Sequence, residues 1–313
     1  MPFLYLKRSR RLFRAAPPTE SVIPTTDSAA YEIFPDFRWV YNKLTIAELQ
    51  GIASGPHGTQ PPLNLYPIFS KPIYNLGGMS ANARHIATPM DYLHSLTPGH
   101  MWSACLQGEH YSTDIAVVQG QAIWLSHTRG LPGPKLTWDY WEVNVSAPAD
   151  LNQAITNFIE TYLKTYTGML NIETIGNKII EVHLRFSPQW PDLYGERFLS
   201  SLVALYSAGE WMGQCRDLQT GYSVVLFDEE KYAHVSTTVS DAYLEEMERY
   251  CGVRSITMRY DAENPFQSVM KPLGGCRIAW INGFDLNKCL LARQMLRNFL
   301  HSLYKSASFT GLT

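Results

Sequence analysis

The stretch N-I-E-T-I-G-N-K-I-I-E-V-H-L-R at residues 171–185 decides how this sequence is interpreted. A Gly-Asn pair stands between two runs rich in β-branched and apolar residues, which is typical of two antiparallel strands joined by a tight turn. We therefore predict a β-hairpin over residues 169–186 that turns at Gly176 and Asn177. The second strand carries Glu181, His183 and Arg185 at every other position.

Side chains two residues apart on a strand project from the same face of the sheet, so Glu181, His183 and Arg185 form one row. Unpaired charges on a buried face cost several kcal/mol, which indicates that the row faces a cavity. A carboxylate can ligate a metal ion and a guanidinium can neutralise phosphate oxygens, so the row suits a metal-bound polyphosphate. Taken alone, the hairpin fits a solvated sheet face equally well.

Two lysines upstream point to the same chemistry. Lys71 ends a strand predicted over residues 65–72, directly before the loop N-L-G-G-M-S-A-N at residues 75–82. A lysine beside a loop of small residues can hold a phosphate by its charge while the loop amides reach the oxygens. Lys43 lies at the start of a helix predicted over residues 42–50, with Thr45 and Glu48 at capping-box spacing.

The order of these motifs resembles that of the ATP-grasp superfamily, to which D-alanine:D-alanine ligase and biotin carboxylase belong. The matching segments are Y-N-K-L at 41–44, I-F-S-K-P at 68–72, L-G-G-M-S at 76–80, L-Q-G-E-H-Y-S-T-D at 106–114 and E-V-H-L-R at 181–185. The resemblance covers residues 41–188. It implies an α+β fold in which two subdomains with antiparallel sheets grip ATP, followed by a C-terminal α/β region.

The resemblance also implies a nucleotide site. Lys43 would reach the phosphates, Lys71 the α-phosphate and the adenine side, and either Glu109 or His110 the ribose. The hinge of the family usually begins with Glu, whereas Ser103 stands there, so recognition of the adenine amino group would rest on backbone atoms. The loop over the triphosphate would be Gly77, Gly78, Met79 and Ser80, and the hinge would be Ser103, Ala104, Cys105 and Leu106.

The metal site implied by the resemblance is the E-x-N-x-R motif, matched by Glu181, His183 and Arg185. His183 replaces the usual Asn, and an imidazole is a poorer ligand for Mg²⁺ than an amide oxygen. Two options stay open: His183 holds a water, or the site favours Mn²⁺. For the ligand on the opposite strand we choose Glu173, with Asn171 as the alternative, since the turn length decides which one faces Glu181.

The activity implied is ATP-dependent ligation, in which a carboxylate becomes an acyl phosphate and then joins an amine. Its substrates would be small molecules or peptides. Arg185 and Arg129, the latter beside a hairpin predicted over residues 111–127, are the candidate catalytic residues. Two alternatives stay open: a small-molecule kinase on the same scaffold, and a nucleotide-binding module without turnover.

We expect three parts: an N-terminal extension over residues 1–40, an ATP-grasp domain over 41–213 and a C-terminal α/β region over 214–313 that selects the substrate. Members of the family normally carry an α/β domain before the Lys43 equivalent, and about 40 residues cannot supply one. Either this member lacks it or the C-terminal region replaces it. Helices are predicted at 150–166, 197–209, 241–250 and from Asp285, and strands at 222–227, 255–260 and 277–281.

Composition excludes several classes. The 313 residues contain 26 Lys+Arg and 28 Asp+Glu, and this balance lacks the basic face that duplex nucleic acids require. No apolar run is long enough to span a membrane. The five cysteines are scattered without zinc-site spacing, which is typical of reduced thiols in a cytoplasmic protein. The basic residues before Ala16 indicate a solvated segment, and a homodimer is an option that the sequence leaves open.

Overall fold

The structure is a computed structural model that describes residues 3–4, 11–77, 82–213, 218–259 and 274–309. The helices are α1 Asp27–Ile33, α2 Lys43–Leu49, α3 Pro89–His94, α4 Ala149–Tyr162, α5 Phe198–Ala208, α6 Glu230–Val235, α7 Asp241–Cys251 and α8 Leu286–Phe309. The strands are β1 Phe3–Leu4, β2 Ile23–Pro24, β3 Ser54–Pro56, β4 Ile68–Pro72, β5 Arg84–Ile86, β6 His100–Ala104, β7 His110–Val118, β8 Gln121–Pro132, β9 Trp138–Val145, β10 Gly168–Ile175, β11 Lys178–His183, β12 Gly221–Asp228, β13 Ser255–Met258 and β14 Cys276–Gly283.

The chain divides into two compact units. The hairpin unit comprises Pro24–His127 and Ser146–Phe186, and the terminal unit comprises Met1–Ile23, Thr128–Val145 and Ser187–Thr313. Both combine helices with antiparallel sheets, which confirms the predicted α+β class. The two compact units do not test the predicted domain boundaries after residues 40 and 213, which stay a prediction.

Two antiparallel sheets form the hairpin unit. One has the strand order β11-β10-β7-β8, and the other has the order β3-β6-β4-β5. Both predicted hairpins are present: β7 and β8 join at Gly120, and β10 and β11 join at Gly176, with φ values of 73° and 59°. The predicted strand over 65–72 begins only at Ile68, because Pro67 has no amide hydrogen to donate to a ladder.

Helix α2 begins where the sequence indicates, but its cap differs from the prediction. The Asn42 side chain accepts hydrogen bonds from the amides of Leu44 and Thr45 at 3.1 and 3.2 Å, so the predicted capping box at Thr45 is wrong. At the other end of the helix, the Gln50 amide group exchanges two hydrogen bonds with the Ile179 peptide of β11, at 2.7 and 2.8 Å. Gln50 thus fixes α2 against the edge strand that carries Glu181 and His183, whereas Arg185 lies beyond the end of that strand.

The N-terminal extension predicted over residues 1–40 contains α1. The Thr26 hydroxyl accepts a hydrogen bond from the Ala29 amide at 3.3 Å, as an N-cap residue does. Asp27 follows in the first turn and is 5% exposed. A buried helix residue therefore lies within this extension.

The terminal unit is built on the strand order β9-β12-β14-β13. Helix α8 contacts β12 and β14, and it buries Cys289, Ala292, Leu296 and Leu300. The aromatic run W-D-Y-W at 138–141 forms the start of β9, a strand that the sequence analysis does not predict. Trp141 packs against Trp138 and Trp190 with ring centroids 4.4 and 5.4 Å apart.

The basic N-terminal residues are not simply solvated. Arg11 Nη2 lies 2.7 Å from Glu248 Oε2 of α7, and the Arg11 side chain is only 13% exposed. Arg14 pairs with Asp241 and Glu245 of the same helix. The prediction of a solvated segment is therefore wrong for Arg11, which α7 binds by charge.

Two further findings concern composition. Across the ranges that the structure describes, no helix has both the length and the apolar character needed to cross a membrane. The cysteines within those ranges are free thiols, and Cys251, Cys276 and Cys289 are buried, as expected for small apolar residues.

Candidate active site

The register of the β10–β11 hairpin decides between the two candidates for the opposite-strand ligand. Glu173 stands directly opposite Glu181, whereas Asn171 stands opposite His183. The Asn171 amide donates hydrogen bonds to Ser112 Oγ and Asp114 Oδ1, both at 2.8 Å. Glu173 is therefore the residue that faces Glu181.

A β-bulge at Ile180 connects the hairpin to Lys71. Thr174 pairs with Ile179 and Glu173 pairs with Glu181, so Ile180 is the extra residue and has no partner in the ladder. Its carbonyl oxygen accepts a hydrogen bond from Lys71 Nζ at 3.0 Å. The Lys71 ammonium group, on β4, is thereby held beside the strand of the row.

Three potential metal ligands converge at this point. Glu173, Glu181 and His183 each offer one ligand atom, and these atoms lie within 4.8 Å of one another. His183 Nε2 lies 3.7 Å from Glu173 Oε1 and 3.6 Å from Glu181 Oε2. In the part of the chain that the structure describes, no other group of three Asp, Glu, His or Cys residues brings its ligand atoms this close together.

Each ligand is oriented by a partner on its far side. Glu173 Oε2 lies 3.2 Å from His110 Nε2, and Glu181 Oε1 lies 2.8 Å from Lys43 Nζ. The other oxygen of each carboxylate is the one directed at His183. Partners of this kind fix the rotamers of metal ligands.

Asp27 orients the imidazole, and the sequence analysis does not identify it. Its Oδ1 lies 3.0 Å from His183 Nδ1, and its Oδ2 accepts a hydrogen bond from Arg185 Nη2 at 2.7 Å. Tyr41 also donates its hydroxyl to Oδ1 at 3.3 Å. The only local signal is the N-cap residue Thr26 before an acidic residue in a first helical turn, which predicts α1 but not its role.

The pKa values reflect this network. Burial alone would raise the pKa of Asp27, but Arg185 and His183 outweigh it and hold that pKa far below its usual range. Burial would lower the pKa of His183, but the Asp27 carboxylate dominates and raises it to about 9. Burial would raise the pKa of both glutamates, but their neighbours outweigh it. His110 and His183 lower the pKa of Glu173, and Lys43 lowers that of Glu181.

A cavity adjoins the ligand cluster within the hairpin unit. It is small, and Lys43 and Lys71 line it together with two residues of the predicted hinge, Ser103 and Leu106. Its apolar lining consists of Ala47, Ile52, Met101, Ile179 and Ile180. An apolar cleft with cations at one side suits a flat ring attached to phosphates.

The predicted hinge lies at the end of β6. Ser103 and Ala104 are the last residues of that strand, and the Ala104 amide donates to the Ala53 carbonyl at 2.9 Å. The Cys105 Sγ lies 3.5 Å from His85 Nδ1, so its side chain is directed at β5. Only Ser103 and Leu106 of the hinge residues line the cavity.

The remaining predicted site residues fall in different places. Glu109 Oε2 accepts a hydrogen bond from the Tyr111 hydroxyl at 2.6 Å, whereas His110 contacts the ligand Glu173. Gly77 is exposed on its loop, and Gly78, Met79 and Ser80 lie outside the described residues. Arg129 belongs to the terminal unit, where its Nε donates to Glu142 Oε2 at 2.8 Å.

The donor set fits a divalent cation. Mg²⁺ and Mn²⁺ both accept carboxylate oxygens as ligands. They differ in how readily they accept an imidazole nitrogen. His183 Nε2 is buried, makes no hydrogen bond and faces the two carboxylates. It is therefore available as a third metal ligand. The predicted ligands Glu173, Glu181 and His183 thus come together as a group.

Comparisons with known proteins establish the fold. No protein-family model matches the chain, and no curated protein matches it by sequence. Solved structures do match. The chain resembles an L-amino acid ligase from Bacillus licheniformis with a TM-score of 0.60 and 14% identity, covering 93% of this chain and 82% of that one.

Two further matches agree with the first. An N5-carboxyaminoimidazole ribonucleotide synthetase from Thermotoga maritima has a TM-score of 0.55 and 10% identity, covering 94% of this chain and 84% of that one. An N5-carboxyaminoimidazole synthase from Aspergillus clavatus, solved with ADP and 5-aminoimidazole ribonucleotide, has a TM-score of 0.55 and 10% identity, covering 90% and 77%. The chain therefore has the ATP-grasp fold, which confirms the fold predicted from its motif order.

Proposed function

We propose that this protein is an ATP-dependent ligase of the carboxylate–amine type. One observation carries the proposal: the ligand cluster of Glu173, Glu181 and His183 and the cations Lys43 and Lys71 meet beside one cavity of an ATP-grasp fold. Metal ligands and ammonium groups together are what a nucleoside triphosphate requires, because its phosphates carry several negative charges. The solved ligases of similar fold support the same class of reaction.

The residues of the site would have different roles in binding ATP and its metal ion. The cavity lined by Ser103 and Leu106 would receive the adenine ring. Lys71 would hold the phosphates that extend from this cavity. A divalent metal held by Glu173, Glu181 and His183 supplies charge neutralisation on the phosphate oxygens. Lys43 and Arg185, which the carboxylates of Glu181 and Asp27 hold in the free chain, are the further cations beside the cluster.

The reaction needs no protein nucleophile. A substrate carboxylate oxygen attacks the γ-phosphorus of ATP, and the bond from that phosphorus to the bridging oxygen breaks, which releases ADP. An amine then attacks the acyl carbon, inorganic phosphate leaves, and the amine loses a proton. Catalysis in such a site comes from positioning and charge stabilisation.

We also assign residues 41–213 to the ATP-grasp domain, after an extension over residues 1–40. The loop with Gly77, Gly78, Met79 and Ser80 would cover the triphosphate. Residues 214–313 would select the acid or the amine, and Arg129 would contact substrate or phosphate. The substrates are a small-molecule or peptide carboxylate and an amine.

The experiment is a metal-dependent ATP assay. ATP binding is measured by titration calorimetry with MgCl₂ or MnCl₂, and ADP and phosphate release is measured across a panel of amino acids, other acids and amines. We expect Glu181→Gln to lower ADP formation by about 100-fold or more, since it removes a metal ligand. The matched control is Glu160→Gln on the exposed side of α4, which should leave the rate unchanged.

The products separate this proposal from its rivals. A ligase releases inorganic phosphate and forms an amide. A stable phosphoester would identify a small-molecule kinase instead, and ATP binding without ADP formation over the whole panel would identify a module without turnover. Normal ATP binding and turnover in Glu181→Gln would contradict the assignment of the site itself.

A further inference from the structure

We propose that His183, held in position by Asp27, ligates the divalent metal directly through Nε2 and makes this site prefer Mn²⁺ to Mg²⁺. The inference rests on the proposed function, because it concerns the metal of that same site. The ATP-grasp motif usually has Asn at the position of His183, so the preference for Mn²⁺ would be particular to this chain.

The first step is the state of the imidazole. The His183 side chain is only 5% exposed, and its Nε2 has no hydrogen-bond partner. It faces Glu173 Oε1 and Glu181 Oε2 at 3.7 and 3.6 Å, which is too long for a hydrogen bond. Metal bonds of about 2.1 Å place neighbouring octahedral ligands roughly 3 Å apart and opposite ones about 4.2 Å apart. The observed separations lie between these values.

The second step is the role of Asp27. Its carboxylate occupies His183 Nδ1 at 3.0 Å, so Nε2 is the nitrogen left for a metal, which would bind there in place of the Nε2 proton and release that proton to solvent. A carboxylate in that position fixes the ring and strengthens the imidazole as a ligand. Asp27 is fixed in turn by Arg185 and by the Tyr41 hydroxyl. It is therefore a positioning residue that acts through His183.

The third step is the chemistry of the two ions. Mg²⁺ takes oxygen ligands and gives up water reluctantly, so a nitrogen ligand disfavours it. Carboxylate oxygens and water suit Mn²⁺ as well, but Mn²⁺ is a first-row transition metal and accepts imidazole more readily. Two carboxylates and one oriented imidazole therefore shift the preference toward Mn²⁺ without abolishing binding of phosphate oxygens.

The direct test is pulsed electron paramagnetic resonance on the full chain with Mn²⁺ alone and then with Mn²⁺ and ATP. We expect nitrogen hyperfine coupling from a directly bound imidazole in the wild type. His183→Asn should still bind Mn²⁺ through its carboxylates but should lose that coupling. The ratio of the Mg²⁺ to the Mn²⁺ dissociation constant should fall on the order of tenfold in His183→Asn.

Asp27→Asn tests the positioning role. We expect its Mn²⁺ dissociation constant to rise by about 10- to 100-fold, as for other residues that orient a metal ligand. Asp150→Asn, an exposed position at the start of α4, is the matched control and should bind Mn²⁺ like the wild type. Circular dichroism is recorded on each variant. If Asp27→Asn does not fold, His183→Asn and the wild-type spectrum still decide the question.

The outcomes keep this inference distinct from the proposed function. Wild-type chain that binds Mn²⁺ and ATP without nitrogen coupling overturns the inference alone, and so does an unchanged metal ratio in His183→Asn. ATP binding that depends on Mg²⁺ and is not supported by Mn²⁺ also overturns it alone. A folded chain that binds neither Mn²⁺ nor ATP overturns both.

Discussion

Lys43 Nζ lies 2.8 Å from Glu181 Oε1, and the Lys43 side chain is 7% exposed while that of Glu181 is 21% exposed. The pair joins the first residue of α2 to the metal-ligand strand β11. A buried cation is tolerable only beside an opposite charge, since desolvation strongly disfavours the lone ion. Lys43 therefore fixes a ligand of the candidate metal site through a buried ion pair.

The first prediction concerns this pair. Lys43→Met removes the cation but keeps the apolar stem, and we expect it to lower the free energy of unfolding by about 1–3 kcal/mol, because Glu181 loses its partner. The double variant with Glu181→Gln should recover part of that loss in a double-mutant cycle measured by urea unfolding. Lys178→Met, an exposed lysine on β11, is the control and should change little. Additive effects in the cycle would contradict the pairing.

The second prediction separates binding from stability at Lys71. Burial lowers the pKa of its ammonium to about 8, so holding the charge there is costly without phosphate. Lys71→Met should weaken ATP binding by about 10- to 100-fold, since a charge-assisted hydrogen bond contributes about 1.5–3 kcal/mol. Thermal stability should stay equal or rise, because an apolar side chain of similar volume replaces a buried ion.

Calorimetry with ATP and thermal unfolding of the same Lys71→Met sample check both halves of this prediction. Lys178→Met again serves as the control. A variant that loses stability but binds ATP normally would show that Lys71 has a structural role.

The parts of the site that lie close together in sequence are predictable from it. Alternation along β11 places Glu181 and His183 on one face, and the Gly176 turn is evident from its residue type. The choice between Glu173 and Asn171 is not, because the bulge at Ile180 shifts the register within the hairpin. A single extra residue has no signature in composition or periodicity.

Asp27 shows the stronger limit. It lies 156 positions from His183 in the chain, inside a segment of Ser, Thr and Pro residues that is typical of a linker. Its acidic side chain is stabilised by the Arg185 guanidinium, the His183 imidazole and the Tyr41 hydroxyl that the fold brings to it, and sequence spacing does not reveal these contacts. Strand β9 is missed for a related reason, since the ring contact between Trp141 and Trp190 joins residues that are far apart in the sequence.

The third prediction concerns the turn that joins β7 to β8. Gly120 has a φ of 73°, and a Cβ atom at this position would lie 2.5 Å from the Lys164 carbonyl oxygen. Gly120→Ala should therefore lower the free energy of unfolding by about 2 kcal/mol or more, because backbone strain and a clash with backbone add together. Gly51→Ala is the matched control: its φ is 65°, but no atom lies within 4 Å of the added Cβ. It should cost only about 1 kcal/mol. Equal losses in urea unfolding would show that the contact with Lys164 is unimportant.

The fourth prediction is a pH dependence that comes from His57, the residue directly after β3. Its Nδ1 accepts a hydrogen bond from the Thr97 amide at 2.9 Å, and its Nε2 lies 3.0 Å from Ser70 Oγ. A backbone amide can donate only to an unprotonated ring nitrogen, so the folded state requires neutral His57. Burial, followed by the positive charges that His100 and Arg84 place nearby, lowers the pKa of His57 from 6.5 to about 4.

The direction of the effect follows from linkage. Between pH 6.5 and about 4, the unfolded chain binds a proton at His57 that the folded chain does not bind. The stabilisation is therefore complete above pH 6.5 and is lost as the pH falls toward 4, with no further loss from this group below that value. His57→Gln removes the titrating ring and should flatten this part of the profile. Free energies of unfolding measured from pH 7 to 4 for both proteins isolate the His57 contribution as their difference, because the carboxylates titrate in each. A difference that does not change over this range would mean that His57 takes up its proton over the same pH range in the folded and the unfolded chain, so that the Thr97 hydrogen bond does not keep the ring neutral.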